Sequence, residues 1–262
     1  MRNLYLILRA LFRWIITGTY FFTVCTILIL VAIFIDPRKN DRPQRALCRH
    51  ILKLAGAGFE VRRSPGFDPH RTSFFVVNHV NLFDPFVLYS AIPQFVRGWE
   101  LESHFKIPVY GWMMKRFGNV PVPDETKPSD LKRMWKMTQA ALDDGVSLVV
   151  FPEGGRTTTG RVGAFKDGVF RVAQRLGYPI VPVSIVGSFE FNNKKSWMLR
   201  PSSIVVHIHD TMETKGLGKH EIQALCDRAQ SIVSAPVDAA MDVRAKQVPR
   251  PIPQSDSSLR PE

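Results

Sequence analysis

The stretch SFFVVNHVNLFDPF, residues 73 to 86, places two proton-handling side chains directly after an apolar run. The run SFFVV (73 to 77) is rich in aromatic and β-branched residues, which predicts a buried strand. His79 and Asp84 then fall in the loop that follows it, where parallel sheets gather their ligands. A histidine followed five positions later by an aspartate is a weak signal by itself, so its companions along the chain decide its meaning.

Three further apolar runs predict strands: SLVVF (147 to 151), IVPVSIV (180 to 186) and SIVVHI (203 to 208). Amphipathic patterns between them predict helices from about Ser129 to Leu142 and over 167 to 177. A short helix is expected from about Gln44 to Ala55. Alternating strands and helices indicate an α/β fold with a largely parallel central sheet flanked by helices.

A second polar cluster, FPEGGRT (151 to 157), also follows directly on a predicted strand. If both strands are parallel members of one sheet, both clusters emerge at the same edge. Glu153, Arg156 and the flexible pair Gly154 and Gly155 would then face His79 across a shared cleft.

These two clusters resemble motifs of the glycerolipid acyltransferase family, typified by the 1-acylglycerol-3-phosphate acyltransferases that make phosphatidate. The family's Asn-His-x-x-x-x-Asp is met by Asn78, His79 and Asp84. Its Phe-Pro-Glu-Gly-x-Arg is met by Phe151, Pro152, Glu153, Gly154 and Arg156. The segment from 160 to 188 resembles the family's stretch that leads to its fourth motif, here IVPVSI. The likeness runs from about Gln44 to Ser188.

The resemblance implies a membrane-bound O-acyltransferase of phospholipid biosynthesis. His79 would act as general base and Asp84 would orient it, so that the acceptor hydroxyl replaces a serine nucleophile. Asn78 would support the oxyanion and Arg156 would bind a phosphate, while Glu153 would orient either a polar headgroup or Arg156 itself. Gly154 would belong to the same substrate-binding loop. The donor would be acyl-CoA or acyl-carrier protein, as a co-substrate. No other cofactor and no metal are expected.

The second family motif departs from the pattern of phosphatidate-forming members. Pro123 and Asp124 stand where those members usually carry an Arg. Upstream of Lys106, where they usually carry a Lys, this chain reads ELES (100 to 103). Lys115, Arg116 or Lys127 are the cations that would have to substitute. This leaves three functions open: transfer to lysophosphatidate, transfer to another lysolipid or glycolipid, or lipid binding by a catalytically silent protein of the same fold.

Composition bounds the partners. The chain has 262 residues, enough for one globular domain, and a net charge of +12 that attracts anionic partners. Because a membrane segment lies beside the basic residues at 38 to 53, acidic lipid is the expected partner and nucleic acid is not. Three cysteines, Cys25, Cys48 and Cys226, are too widely spaced for a disulfide framework or a zinc site, which favours reduced thiols.

The N-terminal segment predicts a membrane anchor. Residues 14 to 35 form 22 uncharged residues, enough to cross a bilayer, and no small-residue cleavage site follows. The larger basic cluster lies after this run, which predicts a catalytic domain on the cytoplasmic side. Both flanks are basic, so a helical hairpin or an interfacial helix stays open.

The predicted organisation is therefore an anchor (1 to 43), an acyltransferase domain (44 to 235) and a disordered tail (236 to 262). The aromatic and basic stretch from 99 to 122 suits either the mouth of an acyl pocket resting on lipid headgroups or an ordinary core helix.

Overall fold

The computed structural model describes residues 2–124 and 127–247. The described chain forms a seven-stranded sheet covered by helices. The helices are α1 (Arg2–Phe34), α2 (Asp41–Ala55), α3 (Asp84–Ala91), α4 (Tyr110–Arg116), α5 (Pro128–Asp143), α6 (Gly168–Leu176), α7 (Ser188–Phe191) and α8 (Glu221–Gln247). The strands are β1 (Ala57–Arg63), β2 (Phe74–Val77), β3 (Val96–Leu101), β4 (Val120–Val122), β5 (Ser147–Val150), β6 (Ile180–Val186) and β7 (Ser202–Ile208). A short 3₁₀ helix, Glu102–Lys106, precedes α4.

The strand order is β1-β7-β6-β2-β5-β3-β4, and every neighbouring pair is parallel except β6 with β7. The predicted α/β class with a largely parallel sheet is thus confirmed. All four predicted strands are present. Strands β1, β3 and β4 were not predicted. Strand β1 (AGFEVRR) carries charges on its exposed face, and β3 (VRGWEL) contains Arg and Gly, which are unfavourable in a strand pattern. Strand β4 (VPV) is only three residues long and contains proline.

Strand β2 lies at the centre of the sheet and is buried on both faces. Phe75 and Val77 pack into one hydrophobic cluster, and Phe74 and Val76 pack into the other. All four side chains are fully buried. Burial on both faces explains why the strand reads as a continuous apolar run rather than an alternating one.

Helix α1 lies along the domain rather than extending away from it. Trp14 Nε1 donates to the carbonyl oxygen of Trp197 at 2.7 Å, and Tyr20 Oη is 2.6 Å from His50 Nδ1. Further along, Cys25 Sγ is 3.3 Å from Met113 Sδ. By length and composition, Leu4–Phe34 is apolar enough to cross a membrane. Its outer surface exposes large apolar side chains, among them Phe12, Ile15, Phe22, Leu30 and Ile33.

Helix α8 corrects the expected start of a disordered tail at residue 236. It continues through Pro236 to Gln247. Val237, directly after the proline, is 4% exposed, so the helix buries an apolar side chain where the local composition favours disorder. Arg161 also holds this part of the helix through ion pairs with Asp238 and Asp242. The remainder of the predicted tail, 248 to 262, lies outside the described residues.

Candidate active site

The two polar clusters meet at one edge of the sheet, as the order of strands requires. Strand β2 is flanked by β5 and β6, and both are parallel to it. Val76 pairs with Val150, so the loops that follow β2 and β5 leave the sheet at the same level. The N–H of Thr157 donates to the carbonyl oxygen of His79 at 2.8 Å and ties the two loops together.

His79 and Asp84 form a hydrogen-bonded pair. His79 Nδ1 is 2.9 Å from Asp84 Oδ2, and the His79 side chain is 21% exposed while that of Asp84 is completely buried. A carboxylate at Nδ1 fixes the proton there and leaves the lone pair on Nε2. Among the described residues Nε2 has no hydrogen-bond partner, so it is the atom free to accept a proton from a substrate.

Asp84 accepts three further hydrogen bonds. The N–H groups of Val80 and Asn81 donate to Oδ2 at 2.6 and 2.9 Å, and Ser188 Oγ donates to Oδ1 at 3.0 Å. Donors on both oxygens stabilise a buried carboxylate and hold it in one orientation. The histidine ring is therefore positioned by a fixed partner.

Asn81 and Ser188 complete this arrangement, although their roles were not predicted from the sequence. Asn81 Nδ2 donates to the carbonyl oxygen of Ser188 and to its hydroxyl oxygen, both at 2.8 Å. It also donates to the carbonyl oxygen of Asn192 at 3.1 Å. Asn81 thereby holds the start of α7 against the loop after β2. The position of Ser188, just after the predicted strand IVPVSIV, could have indicated that this residue lies at the same edge of the sheet as His79.

The ring of His79 stacks on Phe151, the first residue after β5. Their centroids are 4.0 Å apart and their planes are inclined by 19°. Contact with an aromatic face excludes water from one side of the imidazole. Phe151 of the second cluster therefore supports the imidazole ring of His79 directly.

Glu153 connects three backbone segments. Its Oε1 accepts the N–H of His79 and its Oε2 accepts the N–H of Gly163, both at 2.7 Å. Burial raises the pKa of Glu153 above its ordinary value, while the two N–H groups act in the opposite direction. Both oxygens are committed to the backbone, so Glu153 braces the loop beneath His79.

Asn78 does not face the cleft, which corrects the expectation that it supports the oxyanion. Its Nδ2 donates to the carbonyl oxygen of Ile185 at 3.0 Å, and its Oδ1 accepts the N–H of Ile185 at 2.8 Å. The residue is 2% exposed. Its amide extends the pairing between β2 and β6, because a side-chain amide can satisfy the backbone donor and acceptor of the neighbouring strand.

Arg156 is the cation available at this edge. It is partly exposed, and within residues 2–124 and 127–247 its guanidinium makes no hydrogen bond or ion pair. Gly154, two residues earlier, has φ 71°, and a Cβ there would lie 2.7 Å from Lys166 Nζ. The glycine therefore permits both the left-handed turn and the close approach of a second cation.

The second family motif is replaced by different contacts. Asp124 accepts hydrogen bonds from the N–H and Oγ of Ser103 at 3.0 and 2.8 Å. Arg116 donates to the carbonyl oxygen of Ala32 in α1. Arg116 is thus engaged by the N-terminal helix, and the structure gives no support to its proposed role as a substitute phosphate ligand.

An apolar cavity of about 150 Å³ opens beside the His79–Asp84 pair. Phe151 lines it next to His79, and residues of α1, α2, α3, α4 and β3 form the rest of its wall. Arg97 of β3 lines the cavity as well. It pairs with Leu148 on β5, and Leu148 precedes Phe151 by three residues, so the backbone of Arg97 lies roughly 10 Å deeper along the sheet than Phe151. The aromatic stretch from 99 to 122 contributes Trp99, Tyr110, Met113, Met114 and Phe117, which supports its interpretation as part of a pocket.

The deep side of this cavity carries a buried polar group. Arg97 is 5% exposed and donates to Tyr89 Oη at 2.9 Å and to Gln44 Oε1 at 3.1 Å. Its guanidinium lies 3.8 Å from the Phe95 ring centroid. Burial lowers the pKa of Arg97. A satisfied guanidinium at this depth marks a polar boundary for an apolar chain.

His207 of β7 and His209, which directly follows that strand, lack a third candidate metal ligand among the described residues. His207 and His209 stack with centroids 6.1 Å apart, and His209 Nε2 is 2.8 Å from Ser184 Oγ. Within the described part of the chain, no group of three candidate metal ligands occurs.

Comparison with known proteins shows a likeness to acyltransferases over about half of the chain. Residues 59–186 match the family model described as Acyltransferase. The chain is 27% identical over 168 residues to a 1-acyl-sn-glycerol-3-phosphate acyltransferase of Chlamydomonas reinhardtii, covering 64% of this chain and 49% of that protein. It is 26% identical over 191 residues to the Pseudomonas aeruginosa protein of the same name, covering 71% and 73%. It spans about half the length of the algal and plant relatives that it matches.

A solved structure shows the same fold. The crystal structure of the 1-acyl-sn-glycerophosphate acyltransferase of Thermotoga maritima superimposes with a TM-score of 0.75 at 22% identity, over 94% of this chain and 98% of that one. The family match includes both sequence clusters, from strand β1 to the end of β6. Residues 59–186 therefore resemble the acyltransferase family in sequence, and the chain shares the fold of this solved structure.

Proposed function

We propose that the protein transfers a fatty acyl group from acyl-CoA or acyl-carrier protein to the free hydroxyl of a lysophospholipid, most simply lysophosphatidate. The observation that carries this proposal is the His79–Asp84 pair, with a free Nε2, at the mouth of an apolar cavity. The names of the relatives support the same acceptor.

The proposed reaction needs a base because a neutral alcohol is a poor nucleophile at neutral pH. His79 Nε2 takes the proton of the acceptor hydroxyl as its oxygen attacks the thioester carbonyl carbon. The buried carboxylate of Asp84 stabilises the imidazolium that forms. As the tetrahedral intermediate collapses, the carbon–sulfur bond breaks and the imidazolium returns its proton to the leaving thiolate. The products are an ester and a free thiol.

The apolar cavity and the guanidinium of Arg156 bind the two substrates. The transferred acyl chain lies in the apolar cavity beside Phe151, which we call the donor cavity, and this places its carbonyl carbon near His79. Arg156 binds the acceptor's phosphate, since a guanidinium without a partner among the described residues suits a phosphate ester.

The test is transfer of a labelled acyl group from acyl-CoA to lysophosphatidate by the purified full-length protein. His79→Ala is expected to lower kcat by about 10²- to 10⁴-fold, because it removes the general base. His220→Ala, on an exposed histidine just before α8, is the matched control and should retain activity. Equal activity in wild type and His79→Ala at unchanged folding would contradict the mechanism.

The altered second motif favours an alternative function, transfer to an acceptor other than lysophosphatidate. Asp124, which stands where an Arg is usual, binds Ser103 and offers no positive charge to a phosphate. The same assay with a panel of lysolipids and glycolipids separates the two candidates. Product from another acceptor and none from lysophosphatidate would assign the second function. A catalytically silent lipid-binding protein would give no His79-dependent product with any acceptor.

We further propose that α1 rests in one leaflet on the cytoplasmic side. The contacts of α1 with the domain extend from Trp14 to Ala32, roughly 27 Å of helix. A perpendicular span would carry the attached domain surface into the hydrocarbon with it. An interfacial position instead buries the exposed apolar side chains of α1 in lipid and leaves the domain in water.

A further inference from the structure

A second cavity lies beside the catalytic pair and has no role in the proposed reaction so far. It measures about 380 Å³ and is lined by the residue that follows His79, namely Val80, together with the ends of β6 and β7 and the last turns of α8. The ring of His79 stacks on Phe151 of the donor cavity. The reacting histidine therefore lies between two cavities.

The wall of this cavity is mainly apolar and its rim is polar. Val237, Ala240, Met241 and Val243 of α8 line it, with Phe189 opposite. Val243 is 56% exposed, so an apolar side chain is left open to solvent at the entrance. Glu190 and Arg244, paired with each other, lie at the rim. Such a surface fits an apolar chain attached to a polar group.

Helix α8 is held in place as a wall. Arg161 makes its two ion pairs with Asp238 and Asp242, and a Cβ at Gly160 would lie 2.8 Å from Met241 Cε. The loop after β5 thus packs tightly against the helix. The same loop carries Arg156, four residues before Gly160, with its guanidinium unpaired among the described residues.

We infer that this second cavity, the acceptor cavity, binds the acyl chain that the acceptor lysolipid already carries. The inference rests on the proposed function and extends it. Two acyl-bearing molecules must meet at His79, and the donor cavity takes the chain that is transferred. An unpaired cation on the loop that lines the acceptor cavity matches a molecule that joins an anionic headgroup to an apolar chain.

The experiment compares Ala240→Phe, which fills the acceptor cavity, with Ala239→Phe, an exposed position on the same helix. Binding of hexanoyl, decanoyl and tetradecanoyl lysophosphatidate is measured by equilibrium dialysis in the His79→Ala background, so that no turnover is needed. In the Ala239→Phe control, the Kd for lysophosphatidate should fall as its acyl chain lengthens, by up to about fourfold per buried methylene. In Ala240→Phe this dependence should be largely lost, while short-chain binding persists.

Steady-state kinetics then locate the effect. Ala240→Phe should raise KM for long-chain acceptors about tenfold or more, with the donor's KM unchanged. Val243→Asp tests the same cavity at an exposed position, where folding is not at stake, and should weaken long-chain binding in the same direction.

Each outcome decides the inference separately from the proposed function. Equal chain-length dependence in the two phenylalanine variants, absence of binding at every chain length, or a change confined to the donor's KM would overturn it. Chain-dependent binding without transfer by wild type would reject the proposed reaction and still support the cavity.

Discussion

The buried carboxylate of Asp84 is hydrogen-bonded to four residues: to the ring of His79, to the backbone N–H groups of residues 80 and 81, and to the hydroxyl of Ser188 at the start of α7. The backbone donors are local, whereas Ser188 is 104 residues away in sequence. Removing a local donor would disturb the loop itself. The hydroxyl of Ser188 can be removed without changing the backbone, so it isolates one contribution to the site.

Ser188→Ala is expected to lower the free energy of unfolding by about 1 to 3 kcal/mol, because it removes a hydrogen bond to a buried carboxylate. It should also reduce kcat, by less than His79→Ala does, since the carboxylate keeps its other donors. Denaturant unfolding and acyl-transfer rates measure the two effects. The control is Ser90→Ala, whose buried hydroxyl has no hydrogen-bond partner. A Ser188→Ala variant no less stable than Ser90→Ala would contradict the assignment.

At the level of elements, α1 and α8 enclose the site from opposite ends of the chain. Helix α1 buries Cys25, Leu28 and Ala32 in the core beneath the donor cavity, and its other side chains are largely exposed and apolar. Helix α8 provides the wall of the acceptor cavity. The exposed surface of α1 is the part of the molecule that most requires a lipid environment.

The interfacial position of α1 predicts that both ends of the helix lie on one side of the membrane. Arg2→Cys and Lys39→Cys place thiols at the two polar ends of the helix, outside the apolar surface that lipid covers, while the native cysteines are buried. In sealed vesicles reconstituted in one orientation, a membrane-impermeant maleimide should label both positions from the side that labels Lys219→Cys on the domain. Labelling of Arg2→Cys only after the vesicles are opened would show a spanning helix instead.

At the scale of the whole molecule, the donor cavity depends on elements far apart in sequence. Its wall combines α1 to α4 with β3 and β5, so no single segment encodes its depth. Cys48 of α2 is a buried member of that wall, and Arg97 marks the polar boundary about 10 Å below Phe151. The volume left between them limits the length of the acyl chain.

Cys48→Leu should shift the preference toward shorter acyl donors. The larger side chain occupies space in the cavity, and kcat/KM for the longest donors should fall roughly tenfold or more while a short donor is nearly unaffected. A series of acyl-CoA chain lengths measures the shift. Cys226→Leu, in the hydrophobic cluster on the other face of the sheet, controls for general overpacking. An identical chain-length profile in wild type and Cys48→Leu would exclude Cys48 from the wall that limits the chain.

Local sequence alone predicted the central features. The run SFFVV predicts β2 because both faces of that strand are buried, and the position of His79 and Asp84 after it follows from how parallel strands end. Short strands with charges or proline escaped prediction, since β1, β3 and β4 are set by their neighbours rather than by their own residues.

Only the tertiary structure decided what each polar side chain does. Asn78 and Glu153 belong to matching motifs, but their hydrogen bonds go to the backbone of Ile185, His79 and Gly163. Ser188 and the end of α8 lie outside the predicted catalytic motifs, yet they complete the site and its second cavity. The physical reason is that a spacing fixes which loop a side chain occupies, whereas its partners are determined by packing between distant segments.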